Sequence, residues 1–239
     1  MDTNKNSYTL IYAVVMVIIV AFMLSFVSGV LKERQTANME IDRKKQILSS
    51  LRVNLKGLDA DALYKKLIVK GLVVSPDAGV SEVPRDAVFH IDIVKEIAKP
   101  LNERRLPVFV AEIDGQTKYV LSLRGTGLWG PLWGYVALDE DRNTIFGVHF
   151  SHAGETPGLG ANITDAWFME QFAGKRILDG KRKFVSVAVV KHGTDVEGSD
   201  QVDAVSGGTI TSKGVENMLY SSLIQYDIFF QQNDASKQD

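Results

Sequence analysis

VFVAEIDGQTKYVLSL, residues 108–123, is the stretch on which the fold turns. Two apolar, β-branched runs (108–113 and 117–123) flank Asp114, Gly115 and Gln116. An Asp-Gly pair between two apolar runs favours a tight hairpin, because such turns need positive φ at their central residues. The pattern repeats downstream. WGYVALD (133–139) and TIFGVHF (144–150) flank the polar EDRN segment and predict a second hairpin. Residues 184–191 are apolar and β-branched and read as a further strand. Residues 165–172 read as a helix, with Thr164 as N-cap and Gly174 just past its end. A last helix is expected from about Lys213, with Val215, Met218, Leu219, Leu223, Tyr226 and Phe230 on one face. Hairpins with a few helices predict an α+β domain with a mainly antiparallel sheet and flanking helices. There is no strand–helix–strand alternation and no GxGxxG, which argues against a dinucleotide-binding domain.

Towards the N-terminus the composition changes. Residues 8–31, YTLIYAVVMVIIVAFMLSFVSGVL, carry no charge. A helix of that length spans the roughly 30 Å hydrocarbon core of a bilayer. Tyr8 and Tyr12 sit where interfacial aromatic anchors would. A cleaved signal peptide is the competing reading. It fits less well, because Lys5 is offset by Asp2 and the apolar run is longer than a usual signal core. The following residues 31–51 are good helix formers and read as a charged stalk. The expected organisation is an N-terminal segment and transmembrane helix (1–31), a stalk or linker (32–56), a soluble domain (57–232) with its motif-bearing core at 104–230, and a polar tail (233–239). Within 57–104 only a turn at Pro76, Asp77 and Gly79 stands out among short helical and loop signals. Lys32, Arg34, Arg43, Lys44 and Lys45 follow the span and Lys5 precedes it, so the charge count alone puts the soluble part in the cytoplasm.

Several functions are disfavoured. The 239 residues carry a net charge of −2 from 27 basic and 29 acidic groups, so no broad nucleic-acid surface is expected. The absence of cysteine excludes disulfides, thiol catalysis and cysteine-held iron–sulfur clusters within this chain. The four histidines lack HxxxH or HExxH spacing, so no histidine metal site is expected. No GxSxG elbow supports a hydrolase.

Three stretches carry candidate chemistry. The first is VDAVSGGTITS, residues 202–212. Gly207 and Gly208 lie between the hydroxyl residues Ser206 and Thr209, with Thr211, Ser212 and Lys213 next and a helix following. Glycines allow close backbone approach, and a helix N-terminus suits a phosphate. The same composition also serves an ordinary turn and helix cap. The second is HAGETPGLGAN, residues 152–162, a glycine-shaped loop projecting Glu155 and Thr156. The third is GTGLWGPLWGYVAL, residues 125–138. Its Trp129 and Trp133 read as core residues at a bulged strand start, or else as an aromatic wall beside a flat ligand.

In this order, after an N-terminal span and stalk, the three stretches resemble NqrC, the C component of the sodium-translocating NADH:quinone reductases. The resemblance is strongest over residues 104–230, which look like that family's FMN-binding domain. The family motif Asp-x-x-Ser-Gly-Ala-Thr falls on Asp203, Ser206, Gly207, Gly208 and Thr209, with Gly208 in place of the alanine. The resemblance implies FMN joined to Thr209 by a phosphodiester bond. It also implies an ApbE-type flavin transferase that uses FAD and a divalent metal, with this chain as its substrate. The GETPGLG loop resembles the segment beside the isoalloxazine, with Thr156 and Leu159 as contacts and Glu155 and Gly158 close by; Thr211, Lys213 and Trp129 complete the candidate set. The implied role is a one-electron relay in a sodium-exporting complex of the bacterial inner membrane. Its partners would be the A, B, D, E and F components of that Nqr complex, and the flavin domain would be periplasmic. That location opposes the charge count, and the resemblance is preferred because an exported transferase must reach Thr209. RnfG, of the related Rnf complexes, shares two of the motifs, and the GLWGPLWGYVAL stretch favours the first family. An anchored binding module without flavin is the alternative of a different class.

Overall fold

The computed structural model describes residues 6–232 and divides into two compact units, Met1–Arg43 and Lys44–Asp239. The polar tail expected at 233–239, with Asp2 and Lys5, lies outside the described residues. The first unit consists of helix α1 (Asn6–Ser50) up to Arg43. Its most apolar window has a mean hydropathy of 2.9 and none of it is buried. A helix apolar on all sides has no aqueous face, and this one is long and apolar enough to cross a membrane. The span and the stalk as far as Ser50 are one unbroken helix, and residues 51–56 of the expected stalk lie beyond its end. After Gly29 it meets no glycine or proline before its end, and its charged residues are good helix formers.

The second unit begins with the last turns of α1. Ile47, Leu48 and Leu51 are buried, and the chain leaves the helix at Arg52 with φ 58°. The core is a six-stranded antiparallel sheet in the order β2-β1-β3-β4-β5-β6. Its strands are β1 (Ile68–Ser75), β2 (Gly79–Val83), β3 (Leu106–Ile113), β4 (Gln116–Thr126), β5 (Pro131–Leu138) and β6 (Ile145–His152). Both expected hairpins form, β3–β4 and β5–β6. The first turns on two residues, Asp114 (φ 51°) and Gly115 (φ 76°), with Gln116 already paired to Ile113. Positive φ at both positions is the type I′ geometry that matches strand twist. Strands β1 and β2 fall in the region where only helical and loop signals are expected from the sequence. The turn at Pro76, Asp77 and Gly79 joins them. The run IVKGLVVS is illegible as a strand because Gly71 interrupts it. That glycine faces Val88 of α3 (Arg85–Phe89), where a Cβ would lie 2.4 Å from Cγ2.

Both faces of the sheet are covered. On one, Val108, Leu121, Leu123, Val136 and Phe150 pack under the C-terminal helices. On the other, Phe109, Val120, Tyr135 and Ala137 pack under the end of α1, α2 (Ala60–Leu67) and α3. Two-sided burial is why these strands read as apolar runs rather than alternating patterns. Each large side chain buried this way contributes about 1.5–3 kcal/mol. Helix α4 (Ile93–Ile97) leads into β3. Helix α5 (Ala166–Glu170) is shorter than expected: residues 160–164 form a 3-10 turn and Asp165, not Thr164, occupies the N-cap. The strand read at 184–191 reduces to β7 (Ala188–Val190), paired in parallel with β8 (Gln201–Asp203).

Helix α6 (Thr209–Leu223) begins four residues before the expected start at Lys213. It is followed by a 3-10 turn and α7 (Asp227–Gln231), and all six residues assigned to its inner face are buried. It lies against β4 at close range. A Cβ on Gly125 would sit 2.6 Å from Met218 Cβ, and one on Gly214 would sit 2.6 Å from the Thr126 carbonyl oxygen. Ser222 Oγ accepts the Arg124 N–H (3.0 Å) and donates to the Arg124 carbonyl (3.2 Å). Gly125→Ala must therefore push α6 off the sheet. The expected loss is about 1–3 kcal/mol in urea unfolding, with a lower Tm.

Candidate functional site

The three stretches singled out in the sequence meet in space. A cavity of about 220 Å3 is lined by residues 207–211 of the first stretch, by Glu155, Thr156, Leu159 and Gly160 of the second, and by Leu128 of the third. The start of α6, the loop after β6 and the loop after β4 form its walls.

The α6 wall is built for an anion. Gly208 is the N-cap and supplies no side-chain cap, and the first turn holds no acidic residue. The first helical hydrogen bond runs from Ser212 N–H to the Gly208 carbonyl (2.8 Å). The amides of Thr209, Ile210 and Thr211 therefore have no acceptor within the helix. A 15-residue helix also presents the positive end of its dipole there. Gly207 adopts φ 71°, and a Cβ on it would lie 2.7 Å from Leu159 Cδ2. A Cβ on Gly208 would lie 3.1 Å from Val205 Cγ1 and 3.3 Å from Gly160 Cα, so the two loops touch through backbone.

Four hydroxyls lie in this segment, and they differ sharply in access. Thr209 and Ser206 are exposed, whereas Thr211 and Ser212 are each 1% exposed. Ser212 Oγ accepts the Val205 N–H at 3.0 Å and holds the glycine loop. Thr211 Oγ donates to Glu155 Oε2 at 2.6 Å. Ser206 does not line the cavity, so of these four Thr209 is the hydroxyl both exposed and on its wall; Thr156, on the facing loop, is exposed there as well.

Glu155 is buried, at 4% exposure. Its other oxygen accepts the Trp129 backbone N–H at 2.9 Å. Thr156 turns the loop, its carbonyl accepting from Leu159 and Ala161 N–H at 3.1 Å each, and Gly158 takes φ 76° within it. Leu128, Leu159 and Ile210 are large apolar residues left exposed around the opening, beside Trp129.

Other candidates lie elsewhere. Trp129 is 67% exposed, so it is no core residue, and what it contributes is its backbone N–H. Trp133 is half-buried and donates to Gln46 Oε1 at 3.2 Å. Asp203 closes β8, with Oδ2 at 2.8 Å from His192 Nδ1 and its N–H on Gln171 Oε1. Lys213 pairs with Glu216, whose other oxygen accepts the Val189 N–H and ties α6 to β7. Asp203, Lys213 and Gly158 do not line the cavity. Leu128 and Ile210 escape a reading of the sequence, because an apolar residue beside glycines gives no local sign of lining a site. Gly160 stands out there only for shaping the loop.

Comparisons with known proteins bear on this site. The FMN-binding domain family matches residues 127–223, which include all three walls. NqrC of Vibrio vulnificus, a component of its Na(+)-translocating NADH-quinone reductase, is 31% identical over 201 residues, 78% of each chain. The Pseudomonas aeruginosa counterpart is 29% identical over 242 residues, 92% of each. Among solved structures, the counterpart from Parabacteroides distasonis has 47% identity and a TM-score of 0.78, covering 85% of this chain and 98% of its own. NqrC of Shewanella oneidensis has 31% identity and a TM-score of 0.68, covering 82% and 98%. With its span-length helix, its antiparallel domain and its three-walled cavity, the chain belongs to the NqrC family of Na(+)-translocating NADH-quinone reductase components and carries that family's FMN-binding domain.

Proposed function

We propose that this chain carries FMN on Thr209 through a phosphodiester bond and relays electrons between redox centres of neighbouring subunits in a sodium-exporting complex. The observation that carries the reading is the position of Thr209, an exposed hydroxyl on the first residue of α6 and on the cavity wall. Its neighbour Thr211 is sequestered by Glu155. The residues present fit the group. The free amides of the first α6 turn suit its phosphate, and Gly160, Gly207 and Gly208 let the two loops that frame the cavity pack against each other through backbone. Thr156 would offer polar contacts to the ring, and Leu128, Leu159 and Ile210 would give it an apolar surround. When bound, FMN supplies one- and two-electron redox chemistry, and the chain orients it and sets its electrostatic surroundings.

Attachment needs a base and a phosphate donor, and no base lies beside Thr209 among its described contacts. An ApbE-type transferase fills both needs. The Thr209 hydroxyl gives up its proton and attacks the flavin-side phosphorus of FAD, and AMP leaves. The exposure of Thr209 supports access by that enzyme. Helix α1 serves as a single inner-membrane anchor, and the FMN domain faces the periplasm, where an exported transferase works. Residues 8–31 carry no charge, so the ion path belongs to the partner A, B, D, E and F components.

The full chain produced with an ApbE-type transferase, denatured and weighed intact, is expected to gain one FMN phosphoryl group on the peptide containing Thr209. Thr209→Ala is expected to gain none. A wild-type chain without added mass, despite active transferase, refutes the reading.

The two glycines before Thr209 should behave differently. Gly208 has φ −108°, which alanine tolerates, and its Cβ needs only a few tenths of an ångström from Val205. Gly208→Ala is expected to stay within about 1 kcal/mol of wild type in stability and to be flavinylated as fully. Gly207→Ala forces a side chain into positive φ against Leu159, and is expected to lose about 1–3 kcal/mol and most of its flavinylation. Equal flavin mass in both variants contradicts this assignment.

A further inference from the structure

Among the described residues, Glu155 is the one acidic side chain on the cavity wall, and the flavin reading places it near the ring without assigning it an effect on the ring's chemistry. Both of its oxygens accept hydrogen bonds from neutral donors: Oε1 from Trp129 N–H at 2.9 Å, Oε2 from Thr211 Oγ at 2.6 Å. Two donors and no acceptor suit an ionised carboxylate. Its own N–H donates to His152 Nδ1 at 3.1 Å, which leaves the ring proton of that histidine on Nε2. None of its described contacts is a cation, and Lys213, close to Thr209 in sequence, is engaged by Glu216. Glycine backbone closes over the carboxylate. A Cβ on Gly127 would lie 2.4 Å from Oε1, and one on Gly160 would lie 2.6 Å from Oε2. The result is a buried negative charge, offset by hydrogen bonds alone, sharing a cavity with Thr209.

We propose that Glu155 is a positioning residue that also lowers the reduction potential of the flavin on Thr209. The proposal rests on the flavin reading above. Its positioning role follows from its attachments. It joins its own loop, the Trp129 backbone and the first turn of α6, two residues beyond Thr209. Its electrostatic role follows from charge. Each electron the ring takes from a neighbouring carrier adds one negative charge, which either stays or is neutralised by a proton from solvent. A fixed negative charge buried in the wall of the same cavity opposes that addition. Replacing the carboxylate by a neutral amide of the same shape removes the opposition.

The test uses full-length chain flavinylated by the transferase, with intact mass taken on every sample and the flavin titrated spectroelectrochemically at a single, mildly alkaline pH. Glu155→Gln keeps the shape and the hydrogen-bonding capacity, because the Thr211 hydroxyl can turn to accept from the amide. Its flavin potential is expected to rise. Thr211→Val keeps the charge and removes one donor, so its potential is expected to stay at or below that of wild type. A wild-type potential in Glu155→Gln would overturn the electrostatic role. An equal rise in both variants would also overturn it, because a loosened loop would then be the cause. A wild-type chain without flavin mass would defeat the underlying flavin reading instead, and this proposal with it.

Discussion

The close crossing of α6 over β4 is the contact on which the site depends. Gly125 on the strand and Gly214 on the helix remove the side chains that would hold the two apart, and Ser222 straps the helix to the Arg124 backbone. That contact sets where the N-terminus of α6 emerges, and so where Thr209 and the unbonded amides stand. A helix end can receive a phosphate only if its first turn is open to solvent and its remaining length is rigidly held. Here the length is held by Val215, Met218, Leu219 and Leu223 in the core under the sheet.

Glu155 forms the second node. A buried carboxylate is costly unless its oxygens are satisfied, and satisfying these two recruits one group from each of two distant segments. The energetic demand of one side chain thereby fixes the mutual placement of two loops and the start of α6. The surrounding glycines are the steric consequence, since no side chain fits between those backbones and the carboxylate. An exposed apolar rim of Leu128, Leu159 and Ile210 remains around the opening.

Much of the architecture is legible in the sequence because it rests on local rules. The hairpin at Asp114 and Gly115, the buried face of α6 and the uncharged N-terminal helix each follow from turn chemistry, periodicity or composition. The parts that the sequence hides are decided by partners distant in the chain. Strands β1 and β2 exist because β1 adds to β3, more than thirty residues later, and Gly71 in its midst makes sense only once Val88 covers it. The start of α6 at Thr209 is hidden too, because Thr-Ile-Thr-Ser reads as turn and capping sequence until the core claims it. Trp129 reads as a core residue on hydrophobicity, yet only its backbone is held.

The sequence by itself determined the α+β class, the anchor-length helix and three glycine-marked stretches, and only their resemblance to a known family pointed to flavin. It could do so because hydrophobic period, turn propensity and motif spacing are properties of neighbouring residues. The tertiary structure alone decided that the three stretches form one cavity, that Thr209 is open while Thr211 is closed, and that Glu155 is buried between them. Access and burial belong to no residue or short segment. They arise when segments far apart in the chain exclude water from one another, and that follows from how α6 seats on the sheet.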